Sequence, residues 1–243
     1  MLSESRKSEL KQFLASINFK TENYELINKA LTHTSYAFEN NLDSSEHYER
    51  LEFLGDAVLK LAVSNYLFFK YREYPEGQLT KIRGIIVSDE FLSQLAEQIK
   101  LPQYINLGPH EEKTGGRYRH SILACAFEAL LGALYEDNQL DNIYKFLDDL
   151  YEQYTDEIDQ NMCIYNVKAL LQEYTQAQNK DLPEYEIVKE TGKDHDKLYE
   201  VSVKYNGEIL GIGKGKSKKD AEKDAALQAS IKLGLIVEGK CQR

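Results

Sequence analysis

The first two thirds of the chain are dominated by the stretch HYERLEFLGDAVLKLAV, residues 47–63. On a helix, at about 100° per residue, Glu52 lies about 60° from Glu49, and Asp56 lies about 20° from Glu49 on the same side. The opposite face is apolar and carries Leu51, Leu54, Val58 and Leu61. Glu52 and Asp56 repel each other because they are four residues apart. The stretch therefore predicts a helix whose acidic face suits a hard cation, Mg²⁺ or Mn²⁺.

The alternative is an ordinary solvated acidic face, and a second helix argues against it. Residues 121–137, SILACAFEALLGALYED, are almost wholly apolar up to their last two positions, with Glu128 as the exception. A helix that is apolar on all sides is buried. A buried glutamate is rare unless it is paired or binds a metal. The two helices together favour a metal site.

Helical periodicity continues over the first part of the chain, so we predict an all-α domain over residues 1–154. The polar segment 155–163 is predicted to be a linker. Residues 164–236 then change to an α-β-β-β-α order, with a 70-residue scale typical of a small α+β domain. The predicted segments are helix 167–178, strands 185–190, 197–205 and 208–213 with an Asn206-Gly207 turn, helix 217–233, and a tail over 237–243.

The net charge of −10 argues against a nucleic-acid partner, but the uneven distribution of the charge weakens that argument. Residues 1–162 hold 16 lysines and arginines against 27 acids, whereas residues 163–243 hold 14 against 13. An acidic enzyme can approach a polyanion if cations gather at its acids and another module holds the phosphates. The three cysteines lack zinc-ligand spacing. No apolar run spans a bilayer and the N-terminus is polar, so we expect a cytoplasmic protein without membrane contact.

The start of the last helix is rich in lysine. Ser217 with Asp220 three residues later is typical of an N-cap with an acid at N3. Lys218 and Lys219 stand in the first turn, where cations oppose the helix dipole. A solvated lysine run is the plain interpretation, but lysines and free amide groups at a helix start also form a phosphate site.

Several sequence motifs in both domains resemble those of a known family. The stretch ERLEFLGDAVL, residues 49–59, resembles the signature of ribonuclease III. Further blocks resemble the same family, namely 30–36, 75–77, the loop 108–116, 121–124 and 127–129. The second domain resembles the family's double-stranded-RNA-binding domain. The resemblance covers nearly the whole chain, in the short bacterial arrangement of one nuclease domain and one RNA-binding domain.

The resemblance implies a homodimeric endoribonuclease that cuts double-stranded RNA. Glu52, Asp56 and Glu128 would hold the catalytic Mg²⁺, for which Mn²⁺ could substitute, and Asp56 and Glu128 would be the most critical. Glu49 would lie at the edge of the site and contact RNA or support the ligands, and Glu76 would lie near the dimer interface and the RNA path. Each subunit would cut one strand of ribosomal RNA precursors and other structured transcripts, leaving 5′-phosphates, 3′-hydroxyls and short 3′ overhangs.

The resemblance also assigns roles in the second domain. The lysines at the start of the last helix would bridge phosphates across the major groove, whereas a loop histidine and two residues of the first helix would reach minor grooves. These expected RNA contacts are Lys216, Lys218, Lys219, His195, Gln172 and Glu173.

One position departs from the family pattern, because Cys125 stands where relatives carry aspartate. Cys125 and Glu128 are three residues apart and would face the same site. A thiol is a soft ligand, poorly matched to Mg²⁺. The open interpretations are a small buried residue, weaker metal binding, a shifted metal preference, or a site completed by water. A catalytically silent RNA-binding relative and a protein-binding acidic module are the alternative functions.

Overall fold

The computed structural model describes residues 2–43, 45–179, 181–192, 197–237 and 240–241. Contacts divide the chain into a first unit, residues 1–155, and a second unit, residues 156–243. Within the described part of the chain, no helix is both long enough and apolar enough to cross a membrane.

The first unit is helical, as the sequence predicts. Serine and asparagine begin several of its helices, because Ser3, Asn23 and Ser88 each accept a hydrogen bond from the backbone three residues on. Short 3₁₀ helices occupy Leu101–Tyr104 and Gly116–Tyr118. The α-helices are α1 (Glu4–Ser16), α2 (Tyr24–Ala30), α3 (Thr34–Glu39), α4 (Glu49–Lys70), α5 (Glu76–Ile86), α6 (Asp89–Gln98), α7 (Pro109–Lys113), α8 (His120–Glu136) and α9 (Leu140–Glu152).

Helices α4 and α8 form the centre of the first unit and touch backbone to backbone. A Cβ on Gly55 would overlap the carbonyl oxygen of Glu128, and a Cβ on Gly132 would overlap the carbonyl oxygen of Leu51. Only glycine allows two helices to approach this closely. The α4 face that carries Glu52 and Asp56 is thereby held against the α8 turn that carries Glu128.

The core extends from α8 to the neighbouring helices. Leu123, Phe127 and Leu130 of α8 are completely buried. Helix α9 adds the fully buried Tyr151, whose hydroxyl donates to the carbonyl oxygen of Ile86 at 3.0 Å. Eleven residues of α8 are buried, which explains why its sequence is apolar on every side and why a single glutamate stands out in it.

The second unit confirms the predicted α-β-β-β-α order. After two short helices, α10 (Thr155–Gln160) and α11 (Met162–Tyr165), come α12 (Val167–Asn179), β1 (Glu184–Thr191), β2 (Leu198–Tyr205), β3 (Glu208–Gly215) and α13 (Lys218–Lys232). The strands form an antiparallel sheet in the order β1-β2-β3. The turn between β2 and β3 is built by Asn206 and Gly207, whose φ angles of 51° and 79° are those of an Asn-Gly hairpin turn.

The sheet packs its inner face on α13. Val201 and Val203 of β2 are buried against alanines of α13, including Ala221 and Ala225. Strand β3 approaches α13 through Gly211, Gly213 and Gly215, whose added Cβ atoms would overlap the helix backbone. Alternating glycines on the strand and alanines on the helix therefore set the distance between the two elements.

The segment predicted as a linker, 155–163, is helical in the structure because it contains α10 and most of α11. Thr155 is completely buried, and Ile158 and Cys163 are also buried, so this polar stretch contributes apolar contacts that its overall composition conceals. The predicted tail begins with Val237, and a two-stranded pair, β4 (Ile236–Val237) with β5 (Lys240–Cys241), follows α13.

Candidate functional site

The crossing of α4 and α8 gathers the predicted acids. Glu52 and Asp56 lie on α4 one turn apart, and both are partly buried. Glu128 lies on α8 at the crossing itself and is also partly buried. Glu49 stands one turn before Glu52 but is exposed, with Oε2 3.8 Å from Nδ1 of His47. The site therefore has a half-buried centre of three carboxylates and an exposed acid at its edge.

Glu128 is the most perturbed acid of this group. Burial, followed by the charges of Asp56, Glu52 and Asp89, raises the pKa of Glu128 to about 7, and Lys60 opposes the shift. Burial is the largest cause of this shift, and the contributions of Asp56 and Glu52 show that these carboxylates lie close to Glu128. Glu128 is thus poised between its protonated and ionised forms near neutral pH.

Part of the negative charge is met by an ion pair within α4. Lys60 Nζ lies 2.7 Å from Oδ2 of Asp56, one helical turn away. Both side chains are more than a third exposed, so the pair contributes little to stability and its geometry is easily exchanged. Asp56 therefore remains accessible to a competing cation.

The donor set fits a divalent cation with oxygen ligands. Three carboxylates that repel one another gain most from a shared Mg²⁺ or Mn²⁺, which prefer such ligands. Among the residues that the structure describes, no three His, Cys, Asp or Glu side chains already surround one point as metal ligands would. The acids are neighbours, and closing them around an ion requires side-chain rotation.

Cys125 faces the same site from one turn earlier on α8. Burial, together with hydrogen bonding to Glu52 and the nearby acids, raises the pKa of Cys125 to about 12. The thiol is therefore neutral, and a neutral thiol is not the metal-binding form of cysteine. Tyr48, the residue before α4, is a neighbour of Cys125, and burial together with this neighbour and the nearby acids raises the pKa of the Tyr48 hydroxyl.

Asp89 is an acid near the site that sequence reasoning missed. It begins α6, which packs against α8, and its charge contributes to the raised pKa values of both Cys125 and Glu128. In the sequence, Asp89 follows Ser88, and an acid in the first turn after a serine cap is typical of helix capping. Helix capping is enough to explain an aspartate at position 89, so the sequence gives no indication that Asp89 lies near the site.

Two further residues lie outside this centre. Glu76 is exposed at the start of α5, where its Oε1 accepts a hydrogen bond from Thr80 at 2.8 Å, and it is not among the acids that shift Glu128. His33 is the N-cap of α3, and its Nδ1 accepts from the backbone N–H of Ser35 at 3.1 Å. His33 thus has the packing role that a helix start requires.

In the second unit, the start of α13 is built as predicted. Ser217 Oγ accepts from the backbone N–H of Asp220 at 3.1 Å and donates to Asp220 Oδ2 at 2.7 Å. The three lysines around this cap, Lys216, Lys218 and Lys219, are exposed. Lys218 Nζ lies 6.0 Å from the centre of the Tyr199 ring. The helix start therefore presents amide groups and ammonium groups on one exposed surface.

The other predicted RNA contacts are on α12 and in the loop after β1. Gln172 and Glu173 are exposed neighbours on α12. His195 lies outside the described residues. Helix α12 is tied to α13 by Lys168, whose Nζ is 2.6 Å from Glu222 Oε2 and 4.4 Å from the centre of the Tyr185 ring.

Two protein-family models match the chain. One, described as Ribonuclease-III-like, matches residues 23–154, and the other, described as Double-stranded RNA binding motif, matches residues 167–233. A Ribonuclease 3 of Natranaerobius thermophilus is 47% identical over 209 residues, covering 86% of this chain and 90% of that protein. A Ribonuclease 3 of Listeria innocua is 44% identical over 213 residues, covering 87% and 92%.

A solved structure resembles the first unit. The nuclease domain of ribonuclease III from Campylobacter jejuni, described with structural flexibility in a region involved in dimer formation, is 33% identical, with a TM-score of 0.55. The match covers 59% of this chain and 96% of that domain.

Proposed function

This chain belongs to the ribonuclease III family and is an endoribonuclease of that type, and from this premise we propose that it hydrolyses double-stranded RNA with Mg²⁺ bound by Glu52, Asp56 and Glu128. The family is generally metal-dependent. The observation that carries the proposal is the close crossing of α4 and α8, which places Glu128 beside Asp56 and Glu52. Burial and these neighbouring charges raise the pKa of Glu128, so the site holds excess negative charge that a cation would neutralise.

The residues of the site have distinct tasks in this proposal. The resemblance to the family makes Asp56 and Glu128 the most critical of these residues, and they come from the two crossing helices. Glu52 completes the ligand set from the same face of α4. The metal, for which Mn²⁺ can substitute, supplies an activated water and stabilises the charge that develops on the phosphate. Glu49, exposed at the edge, contacts the RNA or supports the ligands.

The proposed products are duplexes with 5′-phosphates, 3′-hydroxyls and short 3′ overhangs. The proposed substrates are ribosomal RNA precursors and other structured transcripts in the cytoplasm. The second unit would hold the duplex through Lys216, Lys218 and Lys219 on phosphates, with α12 residues Gln172 and Glu173 at a minor groove. We propose the same roles for the remaining two residues as the resemblance implies. Glu76 would lie near the dimer interface and the RNA path, and His195 would contact a minor groove.

A homodimer is part of the proposal, with each subunit cutting one strand. One face of α4 carries Phe53, Ala57, Leu61 and Phe68, which recur at helical spacing. Phe53 is 83% exposed, Leu61 53% and Phe68 64%, so no residue that the structure describes covers this long apolar stripe. An uncovered stripe of this kind is typical of a protein–protein interface. The dimer-forming region noted for the Campylobacter jejuni nuclease domain supports the same assembly.

The dimer is tested by Phe53→Glu. We expect the variant to sediment as a monomer at concentrations where the natural chain sediments as a dimer, because a charge replaces the most exposed ring of the stripe. Phe38→Glu is the matched control, since Phe38 is 85% exposed on α3, away from the stripe. Loss of dimer in both variants, or in neither, would contradict the assignment of this face.

The function itself is tested by cleavage of a long duplex RNA as Mg²⁺ or Mn²⁺ is titrated, with Glu128→Ala as the inactive control. The proposal expects metal-dependent cleavage by the natural chain and at least about a hundredfold loss in the variant. The second candidate, a silent double-stranded-RNA-binding protein, is favoured only by Cys125 in place of the family's aspartate. Duplex binding without cleavage in either metal would select that candidate.

A further inference from the structure

Lys60 forms an ion pair with one of the three carboxylates of the proposed metal site. Its Nζ lies 2.7 Å from Oδ2 of Asp56 and donates a hydrogen bond to it. The two residues are one turn apart on the same face of α4, which is the spacing that lets helical side chains meet. Lys60 is therefore a counter-ion of Asp56 that is built into the same helix.

Lys60 and a divalent cation compete for the same carboxylate. Asp56 is a proposed metal ligand, and the Lys60 ammonium covers one of its two oxygens. The Lys60 side chain is 55% exposed and the Asp56 side chain 39%, so the pair can separate without breaking buried contacts. A bound divalent ion would also repel the ammonium beside it. Lys60 therefore has to leave Asp56 when a cation binds there.

The next turn of α4 presents a second positive charge to Lys60. Ser64 Oγ donates to the carbonyl oxygen of Lys60 at 2.6 Å. Arg83 of α5 donates through Nη1 to the same Oγ at 2.8 Å, which fixes its guanidinium beside this turn. A Lys60 ammonium that has left Asp56 thus stands between a cation and Arg83. Its favourable partner is an anion that approaches from the exposed side of the helix.

An RNA phosphate has the charge and the position that this partner requires. The proposed reaction brings the duplex backbone to Asp56, and Lys60 lies one helical turn further along the same face. The flexible four-carbon stem of lysine allows the ammonium to move from a carboxylate to a phosphate without a change in the backbone. Lysine binds phosphate as a point charge, so no exact orientation is needed.

We propose that Lys60 exchanges partners during the reaction cycle: it pairs with Asp56 when no divalent cation is bound and with a phosphate of the duplex when one is. This inference rests on the proposed function, because it assigns a role beside the same site. Binding of metal frees a contact for RNA, and binding of RNA removes a competitor of the metal. The two ligands therefore strengthen each other's binding, as thermodynamic linkage requires.

The first test measures Mg²⁺ binding without RNA, as the Mg²⁺ concentration that gives half of the full rise in thermal unfolding temperature. Lys60→Met removes the charge and keeps a long side chain that suits a helix. We expect this variant to need about threefold less Mg²⁺, because the competitor for Asp56 is gone. Lys60→Arg keeps a competitor and should stay within about twofold of the natural chain.

Lys7→Met is the matched control for the loss of charge. Lys7 Nζ lies 3.0 Å from Oε1 of Glu4 in an exposed pair on α1, so this variant loses the same charge from the same unit without affecting Asp56. Its Mg²⁺ requirement should equal that of the natural chain. A Lys60→Met variant that needs as much Mg²⁺ as Lys7→Met, or more, would overturn the proposal.

The second test measures duplex binding with and without Mg²⁺. In EDTA, Lys60 stays on Asp56, so Lys60→Met should bind duplex RNA within about twofold of the natural chain. At saturating Mg²⁺, we expect the variant to raise the KM for cleavage about threefold, and to change kcat less, because one phosphate contact is lost. The salt dependence should fall by about one contact. An equal loss of binding in both conditions, or no loss in either, would contradict the exchange.

Failure of the proposed function would give a different result. In that case the natural chain would not cut duplex RNA in Mg²⁺ or Mn²⁺. Duplex affinity in Mg²⁺ could then be measured directly in place of KM. The comparison of Lys60→Met with the natural chain would still decide whether Lys60 exchanges partners.

Discussion

Both units use glycines to bring two elements into backbone contact, but the contact buries acids in the first unit and leaves lysines exposed in the second. In the first unit, glycines at positions 55 and 132 let α4 and α8 touch, and in the second, glycines on β3 let the strand touch α13. The helix crossing presses carboxylates together and raises the pKa of Glu128 to about 7. The strand–helix contact leaves its lysines outside, where they oppose the helix dipole by only about 0.3–1 kcal/mol each. In the first unit the carboxylates repel one another, and a bound cation would relieve that repulsion. In the second unit the exposed lysines can bind a polyanion and lower the stability of the unit only slightly.

The largest effect is expected from Gly55→Ala, which attacks the crossing itself. The new methyl group would overlap the Glu128 carbonyl oxygen, and neither helix backbone can move away within a filled core. We expect the free energy of unfolding in urea to fall by about 3 kcal/mol or more. The measurement is chemical denaturation followed by circular dichroism.

The matched control is Gly84→Ala in α5. Gly84 is also a glycine inside a helix, but a Cβ there meets nothing within 4 Å. We expect this substitution to stabilise the chain by about 0.5–1 kcal/mol, because alanine loses less backbone entropy than glycine. If Gly55→Ala were as harmless as Gly84→Ala, the helices could not be in backbone contact, and the explanation for the gathered acids would fail.

A smaller effect is expected from pH in the absence of metal. Because the folded-state pKa of Glu128 is raised from 4.5 to about 7, the folded chain binds a proton that the unfolded chain has released between these values. The stabilising contribution of this group is therefore fully present below about pH 4.5 and is lost as pH rises through about 7. The loss in urea unfolding free energy should be on the order of 2 kcal/mol between acidic and mildly alkaline pH in EDTA.

Glu128→Gln isolates this effect from other groups, including His33, whose pKa is lowered by burial. Glutamine keeps the size of the side chain and cannot ionise, so the difference between the two proteins should show the Glu128 contribution alone. Mg²⁺ should restore stability to the natural chain at the alkaline end and have less effect on the variant. A pH profile that is identical for both proteins would contradict the repulsion among these carboxylates.

Periodicity made the acidic face predictable, because three carboxylates within one helix share an angle that the sequence alone determines. Glu128 was also predictable, as a single acid in an apolar helix. Asp89 and Tyr48 were not, since their relation to the site exists only through the packing of separate elements. The meaning of Gly55 was equally hidden, because a helical glycine in contact and one in open space look the same in a sequence.

The smallest effect is expected from replacing the lysines at the start of α13, which tests the proposed RNA-binding surface of the second unit. We expect Lys218→Ala combined with Lys219→Ala to weaken duplex binding about tenfold at moderate salt, for any sequence of duplex, and to flatten the salt dependence of binding by about two phosphate contacts. Stability should hardly change, because both side chains are exposed. Lys232→Ala is the control, since Lys232 is also exposed but lies in the last turn of α13, where its Nζ donates to the Ile209 carbonyl oxygen. Equal loss of binding from the two ends of the helix would mean that overall charge, rather than the helix start, holds the RNA.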